Sequence, residues 1–277
     1  MRYDGVEETY FKNGQINELK TYKSGKLNGE YKIFYKNGVL AENYSYVDDL
    51  KQGEAFHYYE NGILKAAFTY IDNLIDGIVK YYFEDGEPKA EVTYKKGNKQ
   101  GATRVFYHSG EIRELFNNEN NKIEGKYSTY YKSGMIKGEW SYTNGAPDGL
   151  SKFYYASGEL MAEKEYKSGK ENGITTIYHK NGNKKEEIVF ENGKKQGVNR
   201  HYDKKGGLLK EITYKDGKKI DIKDLTKKNL SNQNIDINPY VVSNKTMAQK
   251  ALINLSIILL IAGGTYLLYL ILVWMFG

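Results

Sequence analysis

Cysteine is absent from the 277 residues, which excludes a disulfide framework, thiolate catalysis and Cys-based zinc sites. Proline occurs only 3 times and tryptophan twice, against 29 Gly and 27 Tyr. That balance argues against collagen and ordinary disorder, and for many strands joined by many tight turns. Four His residues leave little material for metal or acid–base chemistry. An excess of one charge is missing too. The last 57 residues carry five Lys and three Asp, leaving 36 basic and 32 acidic residues on 1–220. A region so nearly balanced has no electrostatic footprint for DNA or RNA, and no nucleic-acid partner is expected.

What is present is periodic. Gly recurs every 24 residues at 14, 38, 62, 86, 110, 134, 158, 182 and 206, and again at 5, 29, 53, 77, 101, 125, 149, 173 and 197. A third column holds Gly25, Asp49, Asn73, Gly97, Asn121, Gly145, Gly169, Gly193 and Gly217, all types that tolerate the left-handed region. Nine units therefore fill 5–220, and Asp221 replaces the next expected Gly. Each unit reads as a β-hairpin closed at pairs such as Asn37-Gly38 or Asp85-Gly86, followed by a second tight turn. Eighteen short strands in series make an all-β fold, an elongated antiparallel β-hairpin repeat array. It is expected to be a twisted single-layer meander roughly 80–90 Å long. Pro88 is expected to weaken the fourth unit, and charge near Glu7-Glu8 and Lys210-Glu211 to discourage edge-to-edge growth.

Aromatics fall into columns as well. Tyr10, Phe34, Tyr58, Tyr82, Phe106, Tyr130, Tyr154, Tyr178 and Tyr202 form an unbroken one. Its neighbour holds Phe11, Tyr35, Tyr59, Phe83, Tyr107, Tyr131 and Tyr155 before ending in His179 and Asp203. Alternation along a strand places these two columns on opposite faces. Tyr22, Tyr46, Tyr70, Tyr94, Asn118, Tyr142, Tyr166, Phe190 and Tyr214 make a third. The ladder Tyr35, Tyr59, Phe83, Tyr107, Tyr131 and Tyr155 is a candidate partner-binding surface, or else packing that holds the sheet together.

The recurring Tyr-Tyr-x-Asn-Gly-x-Leu-x-x-Glu-x-x-Tyr-x-x-Gly pattern, seen well in residues 154–173, resembles the bacterial variant of the MORN repeat. The resemblance covers 5–220 and implies an interaction scaffold with no shared catalytic residues. Members of that variant are often labelled antitoxins, so the resemblance also implies an antitoxin-like partner.

From Ala251 to Gly277 no residue is charged, and one helix there is long enough to cross a membrane. Lys245 and Lys250 precede this span and no charge follows it, which orients the repeats toward the cytoplasm at a bacterial inner membrane. The expected domains are an N-terminal extension (1–4), the repeats (5–220), a polar tether (221–250) and a transmembrane α-helix (251–277). Partners are then the membrane, through 251–277, and an unidentified protein; the oligomeric state is open.

No residue set points to catalysis, and neither a cofactor nor a metal is expected. His57 and His201 share a repeat position six units apart, while Glu near 18, 42, 91, 114, 139, 163, 187 and 211 reads as cross-strand pairing with Lys. Turn lysines such as Lys170, Lys194 and Lys218 form a candidate lipid-contact rim, read otherwise as a solubilising edge.

Overall fold

The computed structural model describes residues 3–226. The expected tether does not begin at 221, because Asp221 to Asp224 pair with the preceding strand. Its remainder, 227–250, and the span over 251–277 lie outside the described residues, among which no helix is long and apolar enough to cross a membrane. The described part is one antiparallel sheet of 24 strands. Nine hairpins follow one another in chain order. Hairpin 1 is Gly5–Tyr10 with Ile16–Lys23, hairpin 2 Lys26–Phe34 with Leu40–Val47, and hairpin 3 Gly53–Tyr58 with Leu64–Ile71. Hairpins 4, 5 and 6 are Gly77–Tyr82 with Pro88–Lys95, Asn98–Phe106 with Ile112–Glu119, and Lys122–Tyr130 with Ile136–Thr143. Hairpins 7, 8 and 9 are Gly149–Tyr154 with Leu160–Lys167, Gly173–Tyr178 with Lys184–Glu191, and Gly197–Tyr202 with Leu208–Lys215.

Six strands exceed the eighteen expected. Five are two-residue pieces, such as Leu50–Lys51, cut from the following strand by a bulge at its Gly, and the sixth is the closing strand Lys218–Asp224. The bulge is wide in every unit that shows it continuously: Lys20 faces Tyr31 and Tyr22 faces Leu27, so Thr21 alone opposes residues 28–30. Gly29 adopts φ 113° there, and a Cβ on it would lie 3.1 Å from the Thr21 methyl. Both its backbone and its neighbour demand Gly. With Asp221 in place of Gly this bulge shortens, so Ile222 pairs with Ile212 and the regular register ends. The N-terminal residues belong to the array: Tyr3 C=O accepts from Gly25 N–H, and Asp4 accepts from Ser24 N–H.

The two turns divide their roles differently from the sequence reading. Positive φ at two consecutive positions occurs at the second turn, as in Asp48-Asp49, Asp72-Asn73 and Asn144-Gly145, the two-residue geometry that matches strand twist. At the Asn-Gly turn only Gly is left-handed. Tyr59 C=O accepts from Gly62 N–H, Tyr59 N–H donates to Ile63 C=O, and Asn61 Oδ1 accepts from Ile63 N–H. Asn serves there as a hydrogen-bonding side chain, not as a carrier of positive φ. Pro88 opens its strand at an exposed position, where a missing N–H is tolerated.

One face carries the packing. Cross-strand pairs set a small residue against a large one: Ala55 with Phe68, Thr103 with Phe116, Thr175 with Ile188, Asn199 with Ile212. Ala55, Val79, Ser151, Thr175 and Asn199 are almost completely buried in this way. Where Trp140 enters, Gly138 makes room, since a Cβ there would lie 2.7 Å from the indole. A single layer thus buries its centre line through its own neighbours, unit against unit.

Candidate functional site: ladders, faces and turn edges

The tyrosine ladder is a structural stitch. Tyr35, Tyr59, Tyr107, Tyr131 and Tyr155 are half-buried at the base of the Asn-Gly turn. Each hydroxyl donates to a backbone carbonyl 23 residues ahead: Tyr58, Tyr82, Tyr130, Tyr154 and Tyr178, at 2.7–2.9 Å. His179 reaches Tyr202 C=O in the same way at 3.3 Å. Phe83 has no hydroxyl and packs at a tilt against His108, with ring centroids 4.9 Å apart. These residues open the turn instead of standing in a strand, so they do not decorate the face opposite the Tyr10 column. Asn61 and Asn181 reinforce the stitch by donating to Glu84 C=O and Lys204 C=O.

A second stitch was missed from the sequence. Gln52, Asp76, Gln100, Glu124, Asp148, Asn172 and Gln196 each accept a backbone N–H from the turn 20 residues ahead. The signal was present, because every residue of this column, Asp4 and Asn28 included, carries an acceptor at the same 24-residue spacing.

The two faces differ in chemistry. The packed face holds aromatic clusters: Tyr31, Tyr44, Phe68, Tyr70 and Tyr81 in hairpins 2–4, then Phe116, Tyr127, Trp140 and Phe153 in hairpins 5–7. In the first cluster Tyr44 donates to Glu42 at 2.7 Å and lies 2.8 Å from His57 Nε2, while Lys51 Nζ sits 3.6 Å from its ring centroid. Burial, then the Glu42 hydrogen bond, pushes the Tyr44 hydroxyl far up. Burial lowers both His57 and Lys51. Tyr81, also raised by burial, reaches about 12.

The opposite face carries a run of ion pairs from hairpin 4 onward: Arg104–Glu91, Lys126–Glu139, Lys152–Glu163 and Arg200–Glu211. The Glu–Lys pairing expected from the sequence is present, but Glu18, Glu42 and Glu114 belong to the packed face and the others to this one. Tyr178 and Tyr202 donate to Glu163 and Glu187. Glu187 is held below the usual carboxylate range by Lys184 first and Tyr202 second. Among the described residues no group of acidic or His side chains is placed to hold a metal ion.

At the second-turn edge the units diverge. Lys170, Lys194 and Lys218 are exposed at the first position after the turn in three consecutive units. Lys167 faces Lys170 and Lys215 faces Lys218. The matching positions in hairpins 2 and 3 pair Val47 with Leu50 and Ile71 with Leu74. All four stay 40–50% exposed.

Crystal structures titled TcdB2-TccC3-Cdc42 and TcdB2-TccC3-TEV align with 82% of this chain at 10% identity. Their TM-scores are only 0.19 and 0.21, and the alignment spans 15% and 12% of those much longer chains. No curated protein matches the sequence. Residues 3–24, 27–48, 51–72, 75–96, 123–144, 147–168, 171–192 and 195–216 match the family described as MORN repeat variant. Hairpin 5 falls in the gap between them, yet it keeps the same backbone, with Asn118 donating to Thr103 Oγ1 at 2.8 Å in the place of the usual Tyr. With eight segments in one 24-residue register matched over more than half its length, the chain belongs to the MORN repeat variant family.

Proposed function

We propose that this chain is a non-enzymatic scaffold, anchored by residues 251–277 and holding a protein partner on the surface of its β-sheet array. In this reading the anchor sits in a bacterial inner membrane and the array lies on the cytoplasmic side. An antitoxin-like role is one form of such partner binding. The observation that carries the proposal is the pattern of exposed aliphatic side chains. Val47, Leu50, Ile71, Leu74, Leu150 and Ile174 remain 40–51% exposed on an otherwise polar rim and face. Apolar side chains left in water by a regular framework mark contact surface.

Membrane fractionation with protease shaving tests the anchor. The full chain is expected in the membrane pellet, with the array cleaved only after the inner membrane is breached. A chain recovered in the soluble fraction would refute that arm. Crosslinking in intact cells, followed by purification of the full chain, tests the partner arm; recovery of no adduct would refute it.

A second reading has its own support. Leu150, Ile174 and Val198 line up on the ion-paired face one unit apart, and Ile174 and Val198 stand four residues after the edge lysines Lys170 and Lys194. Apolar side chains bordered by lysines suit an anionic bilayer surface, each Lys contributing up to about 1 kcal/mol close to it. This version predicts salt-sensitive binding of the array to anionic vesicles and none to neutral ones.

A further inference from the structure

The repeat supplies its own control. At the two positions flanking the second turn, hairpin 1 has Lys23 and Lys26, hairpin 7 Lys167 and Lys170, and hairpin 9 Lys215 and Lys218. Hairpins 4, 5, 6 and 8 place Lys95 and Asn98, Glu119 and Lys122, Thr143 and Ala146, and Glu191 and Lys194 there. Only hairpins 2 and 3 carry aliphatic residues at both, and these two hairpins are adjacent. The backbone does not require them, because the same turn forms with lysine in other units.

Register places the four side chains on one face. Val47 faces Leu50 and Ile71 faces Leu74. Ile78, 48% exposed, extends the patch on the same face, since Lys80 pairs with Ala67 two residues further along. Leu74 also packs under the next turn, where a Cβ on Gly97 would lie 3.4 Å from its Cδ2. Within hairpins 2 and 3 the charged groups at the patch are acidic, Asp48, Asp49 and Asp72 in the turns and Glu54 in the strand alongside. Lys23 and Lys26 at the second turn of hairpin 1 and Lys95 and Lys96 at that of hairpin 4 mark its two ends. Asp48 lies 3.8 Å from Lys26, and Asp49 accepts from Leu27 N–H. Asp72 and Glu54 make no ion pair among the described residues.

We infer that this edge of hairpins 2 and 3 docks a basic amphipathic helix of a partner protein. The inference rests on the partner-binding reading and names the surface and the chemistry of the partner. Acidic turns repel an anionic bilayer, so the occupant is protein and not membrane. The edge consists of closed turns, offering no unpaired strand for β-augmentation, which leaves side-chain docking. Adjacent aliphatic pairs stand two strands apart, about 9.6 Å, close to the ~10.5 Å that seven residues of helix rise. A helix laid across the strands therefore presents apolar side chains at i and i+7, with Lys or Arg alongside to meet the carboxylates.

The test uses the full chain in neutral non-ionic detergent and a Leu/Lys amphipathic peptide carrying a photoreactive Leu. A Leu/Glu peptide of the same pattern is the charge control. Crosslinks are expected within 47–78, from the Leu/Lys peptide alone. Replacing the four residues as in hairpin 7 (Val47→Lys, Leu50→Lys, Ile71→Lys, Leu74→Lys) should weaken binding by on the order of tenfold or more. A second variant guards against misfolding. Asp48→Asn, Asp49→Asn and Asp72→Asn use a residue that other units already carry in this turn, and should weaken binding and flatten its salt dependence. Equal binding by either variant, crosslinks elsewhere, or equal binding of the Leu/Glu peptide overturns the inference. So does absence of binding; the cell-crosslinking result then stands apart and decides whether a partner is held by another surface.

Discussion

Hairpins 2 and 3 and hairpins 7 to 9 share one backbone and almost nothing of their surface. Both sets use the same turns, the same hydroxyl stitch (Tyr59 to Tyr82, Tyr155 to Tyr178) and the same acceptor column (Gln52, Asn172). In the first set the packed face is aromatic, around Tyr44 and Phe68, and the edge is aliphatic and acidic. In the second set Lys164 takes the place of Phe68, Ile188 follows, and the edge is lysine-rich. The comparison separates two kinds of residue. Those repeated in every unit specify the array; those peculiar to a few units specify what the array meets.

The largest contrast should appear in one column of the packed face. Phe68 packs on His57, Tyr70 and Tyr81, with centroids 4.6–6.3 Å apart. Phe68→Ala is expected to destabilise by about 2–4 kcal/mol, at or below the usual range because the ring keeps some exposure. Lys164→Ala, at the same repeat position, removes a partly exposed ion pair with Glu171 and a contact 5.8 Å over the Phe153 ring, and should cost about 1 kcal/mol or less. Urea unfolding of both variants checks this, and equal losses would break the distinction between the two regions.

A shared element should respond alike in both regions. Tyr59→Phe and Tyr155→Phe each delete one hydroxyl bonded to a backbone carbonyl, and each should cost about 0.5–1.5 kcal/mol. A marked difference between them, measured in the same unfolding experiment, would mean that the stitch is not common property.

The smallest expected effect is a split in pH dependence. Burial lowers His57, so the unfolded chain takes up the proton more readily. Stability near hairpin 3 should be full above the unfolded His value of about 6.5, and should decline as pH falls through it toward the lower folded value. Glu187 is lowered by Lys184 and Tyr202, so its contribution is present above about 4.3 and is lost only as pH falls below that. Hydrogen exchange by segment at about pH 7.5, 5.5 and 4, which lie roughly one unit above His, between the two groups and near Glu, should show hairpin 3 loosening before hairpin 8. The reverse order would contradict these assignments.

Period alone made the array legible. Columns of Gly, Tyr and Asn located both turns, set the unit length and predicted the antiparallel meander. They did not show which turn uses two left-handed residues, because Asn-Gly satisfies either geometry until the hydrogen bonds of Asn61 are known. Nor did spacing show that Tyr59 points at a carbonyl in the next hairpin, since that depends on how successive units stack. The Gln52 column was overlooked because its chemistry varies among Asp, Asn, Glu and Gln while its function, accepting one N–H, stays fixed. The edge of hairpins 2 and 3 was hidden for the opposite reason. Attention to what repeats passes over the places where Val47 and Leu74 break the repeat.

Moving the edge tests the central claim most directly. A chain with lysines at 47, 50, 71 and 74 would receive Lys167→Val, Ser168→Asp, Lys170→Leu, Glu191→Ile, Asn192→Asp and Lys194→Leu. Crosslinking with the Leu/Lys peptide is the measurement. The account predicts that binding persists and that the adducts move from 47–78 to 167–194. Adducts that vanish altogether, or that stay at hairpins 2 and 3, would contradict it.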